Sequence, residues 1–110
     1  MLSKMKNIDA KEVIELKDMI DIYEGQVLSR TLSQNENVSL TLFGFDKDEM
    51  ISTHQSEGDA LLTVLEGKAR ITIDDTDYIL KTGESIVMPA LHPHAVYALE
   101  NMKMFLTVIF

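Results

Sequence analysis

The chain has no cysteine in its 110 residues. Disulfides, thiolate metal sites and a cysteine nucleophile are therefore excluded. It has two prolines, Pro89 and Pro93, and five glycines, with no Pro-, Gly- or Ser-rich tract to mark a linker. No internal repeat or low-complexity segment interrupts it. No apolar run approaches the roughly 20 residues that span a bilayer, and residues 1–7 lack the apolar centre of a secretory signal. Positive charge is scarce, since ten Lys and Arg face eighteen Asp and Glu for a net charge of −8. Nucleic acid and anionic membranes demand a basic face, so neither is expected as a partner. The expectation is a soluble cytoplasmic protein whose acidity serves solubility.

What is present points to strands. A length of 110 residues suits one domain. A domain of that size buries roughly 65% of its unfolded-chain surface, enough for a core without staples. From Gln26 onward apolar residues recur with period two. Val38, Leu40 and Leu42 alternate with Ser39 and Thr41; Ala69, Ile71 and Ile73 alternate with Arg70 and Thr72. That is the pattern of half-buried strands. Turn residues separate the runs at 34–37, 46–48, 66–67, 74–75, 81–84 and 100–101. Many short strands at regular spacing predict a sandwich or barrel. The final run, 104–110, is apolar except for Thr107, and reads as a buried strand or one covered by another chain.

Ahead of the strands, residues 9–20 suggest a short helix. Asp9 stands three residues before Glu12, the capping-box spacing, and Val13, Leu16 and Ile20 would share a face. A strand over 14–16 is the alternative. The chain has three histidines, His54, His92 and His94. Histidine is the commonest metal ligand and the acid–base residue of neutral pH. In a strand His54 and Ser56 share one face, and His94, Val96 and Ala98 share another.

Residues 44–98 resemble the two-part cupin signature. The first part is matched by Gly44, His54-Gln55-Ser56, Ala60 and Gly67. The second is matched by Gly83, Pro89-Ala90-Leu91-His92-Pro93-His94 and Ala98. The resemblance implies an all-β fold, an antiparallel double-stranded β-helix of the cupin or jelly-roll kind. Residues 25–110 would form the barrel and residues 1–24 an N-terminal segment. In metal-dependent cupins three histidines and a glutamate hold the ion. Carried over by position these are His54, Ser56, Ala60 and His94, so two of the ligands are replaced.

Two readings remain open on these residues. In one, His54 and His94 bind a divalent first-row ion (zinc, nickel, iron, manganese or copper), and the protein acts on a small organic substrate. His92 is the candidate third ligand if His92-Pro93-His94 runs extended; otherwise it lies in an exposed turn. Glu57 and Asp59 are solvated turn residues or swing in. In the other reading the barrel is a metal-free module that binds or senses a small ligand. A variant has the histidine pair acting as a metal-free acid and base. In each, Ser56, Met50 and Met88 are expected to line the cavity. A homodimer is expected, because open barrels leave edge strands to cover and the terminal apolar runs exceed what one small barrel needs.

Overall fold

The period-two runs become strands whose burial alternates as the pattern requires. Along β5 (Lys68–Ile73), Ala69, Ile71 and Ile73 are buried while Arg70 and Thr72 are half-buried on the other face. The computed structural model describes residues 4–110, and among these it contains nine strands and a single 3₁₀ turn, Leu16–Met19. The other strands are β1 (Val27–Gln34), β2 (Val38–Phe45), β3 (Met50–His54), β4 (Asp59–Glu66), β6 (Thr76–Lys81), β7 (Ser85–Met88), β8 (His94–Ala98) and β9 (Met102–Ile109). They form a five-stranded sheet in the order β1-β2-β9-β4-β7 and a four-stranded sheet in the order β3-β8-β5-β6. Every pairing is antiparallel.

The main core lies between the two sheets. Phe45, Leu62, Val64, Ile71, Met88, Met102 and Met104 fill it and are almost inaccessible to solvent. Two unbranched methionines of β9, Met102 and Met104, are buried in this core, the adaptable packing role of that side chain. The apolar C-terminal run belongs to β9, which sits in the middle of the larger sheet. Leu106 packs against the inner core, Phe105 against the outer cluster, and Ile109 is exposed.

The turns carry the residue types their geometry needs. Asn35 accepts backbone hydrogen bonds from Asn37 (2.8 Å) and Val38 (3.1 Å) through Oδ1, closing the β1–β2 hairpin. Asp74 sits at φ 56 in the two-residue β5–β6 turn.

The N-terminal segment corrects the expected helix. Residues 9–20 form no α-helix; only the 3₁₀ turn is regular, and Glu15 ahead of it is extended with no side-chain cap. Lys11 adopts φ 63, which interrupts any helix through it. Twelve residues are marginal as an isolated helix, and tertiary packing decides instead. Ile8, Leu16, Met19 and Ile20 spread over the outer face of the larger sheet, where they meet Leu28, Leu32, Leu40, Leu42, Leu65 and Phe105. Val13, expected on the buried face, is fully exposed. The strand alternative over 14–16 does not form either. Arg30 ties the segment down, donating to the carbonyls of Asn7 (2.8 Å) and Met19 (3.0 Å).

Candidate functional site: a facing histidine pair

Strands β3 and β8 are neighbours in the smaller sheet, and His54 stands directly opposite His94. Cross-strand partners share a face. On β8, His94, Val96 and Ala98 are the buried residues, so the two imidazoles lie on the inner face. A register irregularity between Ile51 and His54 brings His54 to that position. His94 is buried, at 3% exposure, whereas His54 is exposed. The pair therefore has an anchored member and a member that solvent reaches.

The hydrogen bonds of the pair define its chemistry. His94 Nδ1 lies 3.1 Å from the carbonyl oxygen of His92, and His54 Nδ1 lies 3.0 Å from that of Ser52. A carbonyl only accepts, so each Nδ1 carries the hydrogen. Each Nε2 is then a bare lone pair in the neutral ring. These two nitrogens face one another at 3.1 Å, with the ring centroids 4.3 Å apart and the planes at 69°. Two lone pairs at that distance repel unless a positive centre lies between or beside them. Burial holds the His94 imidazolium pKa below its usual value; the hydrogen bond to the His92 carbonyl opposes this, and charge on His54 adds to it.

The other candidate residues are placed elsewhere. His92 lies in the turn between β7 and β8, its amide donating to Pro89 O at 3.3 Å. Its Nδ1 donates to Asp74 Oδ2 at 2.8 Å. His92 follows a turn in which Leu91 is left-handed at φ 66, and its ring is tied to Asp74 rather than to the His54–His94 pair. Ser56 is two residues beyond the end of β3, and its Oγ accepts from the Gly58 amide at 3.2 Å. Met88 is packed in the inner core opposite Ala60. Met50 pairs with Tyr97 on the outer face of β8. Asp59 Oδ1 accepts from the Ala90 amide at 2.8 Å, and Glu57 is exposed.

The donor set tests poorly against a resident metal. Two imidazole nitrogens are available, Ser56 is committed to its turn, and Ala60 offers no donor. Among the described residues no group of three or more His, Asp or Glu is placed to hold an ion. Stable sites use three or more protein ligands. The residues present therefore do not fit a resident metal.

Sequence reasoning missed the two backbone carbonyls, Ser52 O and His92 O, that fix the tautomers. Backbone groups leave no mark in a sequence.

A small fold of two antiparallel sheets, with a facing histidine pair on the smaller one, defines the class. The sequence profile of the cupin domain matches residues 41–110, and the chain belongs to the cupin superfamily. It is similar to the conserved SPY1581 protein of unknown function from Streptococcus pyogenes, with 44% identity and a TM-score of 0.96 over 98% of this chain and 95% of that one. It is also similar to the cupin superfamily protein DSY2733 from Desulfitobacterium hafniense, with 31% identity and a TM-score of 0.93 over 98% and 99%. A cupin 2 conserved barrel domain protein from Leptotrichia buccalis shares 38% identity with a TM-score of 0.86; the match covers 88% of this chain and 47% of that one. No functionally curated protein matches. Among the described residues no helix is long and apolar enough to cross a membrane.

Proposed function

We propose that this cupin is a small-molecule-binding module whose binding element is the His54–His94 pair, held together by a shared proton rather than a resident ion. The observation that carries the reading is the 3.1 Å approach of two Nε2 atoms whose Nδ1 partners are both spent on carbonyls. One proton between them turns lone-pair repulsion into an Nε2–H···Nε2 hydrogen bond of the charge-assisted kind. A second proton is resisted, because burial and the neighbouring charge both disfavour it on His94. The pair then presents a single positive charge at the solvent-facing ring of His54. A small organic molecule with an acidic oxygen suits that charge: the oxygen accepts from His54 while His94 keeps the ring in place. Among the described residues no group of three or more His, Asp or Glu is placed to hold an ion, which supports a binding role that needs no metal.

A second reading keeps the ion. Two bare nitrogens 3.1 Å apart are also spaced as adjacent donors of a first-row divalent metal, and a metal-dependent enzyme on a small substrate would follow. Metal content of protein purified without an affinity tag, with zinc calorimetry, separates the two. The first reading expects far less than one equivalent of metal and weak zinc binding. One tightly held equivalent, lost in both His54→Ala and His94→Ala, would overturn it in favour of the second.

A further inference from the structure

The tautomer of His94 depends on an acceptor that no strand holds in place. The Nδ1–H of His54 is fixed by Ser52 O, which lies within β3. The Nδ1–H of His94 is fixed by His92 O, which lies in the turn between β7 and β8. In a free neutral imidazole the hydrogen sits mostly on Nε2, so Nδ1–H persists only where an acceptor holds it. The front of the turn is anchored by two backbone bonds. Leu91 N–H donates to Ser56 O at 2.8 Å, and His92 N–H donates to Pro89 O at 3.3 Å. The back is gripped by a single residue of another hairpin. Asp74 follows Ile73, which stands opposite His94 in the register of β5 and β8. Its Oδ2 accepts from His92 Nδ1 at 2.8 Å, and its amide donates to Pro93 O at 2.8 Å. These two bonds fall on either side of the His92 carbonyl, and Pro93 has no amide hydrogen of its own to add. Asp74 reaches this position from the left-handed region, at φ 56, which aspartate tolerates better than most residues.

We propose that Asp74 is the positioning residue of the histidine pair: its carboxylate, through the His92 ring, keeps the His92 carbonyl where it accepts from His94. The inference rests on the reading of the pair as a binding element and adds what sets the pair's hydrogens. With Nδ1–H imposed on both rings, the facing Nε2 atoms need a further proton between them. Were His94 to carry its hydrogen on Nε2 instead, it would donate to His54 Nε2 with no proton added. The neutral pair would then be satisfied, and the positive charge that suits an acidic oxygen would be lost. Asp74 thus decides which of the two arrangements the pair adopts. Its role is not one of stability. The side chains of His92 and Asp74 are about half exposed, and ion pairs of that kind contribute little to folding.

Long-range proton–nitrogen correlation spectra of ¹⁵N-labelled protein at pH 7.5 test this, with circular dichroism to confirm that each variant is folded. The wild type should show hydrogen on His94 Nδ1. Hydrogen on Nε2 there would overturn the reading of the pair, and this inference with it. Asp74→Gly keeps the left-handed backbone and removes the carboxylate; in it the Nε2–H form of His94 should become the larger part. Asp74→Asn retains an oxygen acceptor and should keep Nδ1–H. Asp75→Asn, which changes the neighbouring carboxylate of the same turn, should keep it too. His92→Ala removes the ring and should reproduce Asp74→Gly, and it decides the matter should the glycine variant fail to fold. Nδ1–H in the wild type and unchanged in both Asp74→Gly and His92→Ala would overturn the role of Asp74 and leave the reading of the pair standing. A change in Asp75→Asn as large as that in Asp74→Gly would do the same.

Discussion

Two glycines with nearly the same backbone conformation give a sharp test of how the barrel is held. Gly67, at the β4–β5 turn, has φ 91, and Gly83, at the β6–β7 turn, has φ 87. Placing a non-glycine residue in the left-handed region costs about 1–2 kcal/mol. Alanine also reduces unfolded-state freedom, which offsets about 0.4–1 kcal/mol of that cost. Around Gly83 an added methyl meets nothing within 4 Å, so Gly83→Ala should lose only about 0.5–1.5 kcal/mol. Around Gly67 the same methyl would sit 2.2 Å from Asn101 O and 3.0 Å from Met102 Cα. Both are backbone atoms at the entry to β9, and no side-chain rotation relieves the clash. Overpacking of this kind adds about 1–3 kcal/mol, bringing Gly67→Ala to roughly 2–4 kcal/mol in total. For a domain near this size each kcal/mol lowers the melting temperature by roughly 4–8 °C. Thermal unfolding followed by circular dichroism should therefore show Gly67→Ala melting well below Gly83→Ala. Equal shifts, or the larger shift at Gly83, would refute the reasoning.

Stability should fall as pH drops below about 6.5. The lowered pKa of buried His94 keeps it neutral when folded, so the unfolded chain binds more protons in that window and the loss continues down to the folded value. Urea midpoints at pH 7.5 and 5.5 check the sign, and His94→Gln should flatten the difference; a midpoint that rises on acidification contradicts it. Leu91 combines a left-handed φ of 66 with 64% exposure, so Leu91→Asn should raise stability by about 0.5–1 kcal/mol, Asn tolerating that region better. A fall in melting temperature would show that the leucine side chain makes a stabilising contact.

Much of the barrel was legible because its signals are local and repeated. Period-two alternation placed Ala69, Ile71 and Ile73 inward along β5. The motif glycines marked positions where φ is positive, Gly67 and Gly83. The N-terminal helix was misread because a capping-box spacing is a local preference that Lys11 and the packing of Ile20 against the outer sheet override. The facing of His54 and His94 rests on strands 40 residues apart, so only the resemblance to a known barrel suggested it. The diversion of His92 to Asp74 was invisible, because alternation holds in a strand and fails in the turn that Leu91 bends.

The central claim is that both rings carry hydrogen on Nδ1 and turn bare Nε2 atoms toward one shared proton. Long-range proton–nitrogen correlation spectra of the imidazoles of ¹⁵N-labelled protein, recorded between pH 5 and 8, test it directly. The account predicts protonated Nδ1 on both His54 and His94 throughout, with the pair taking up a first proton and resisting a second. A bare Nδ1 with a hydrogen on Nε2 in either neutral ring, or two independent titrations each completing like a free imidazole, would contradict it.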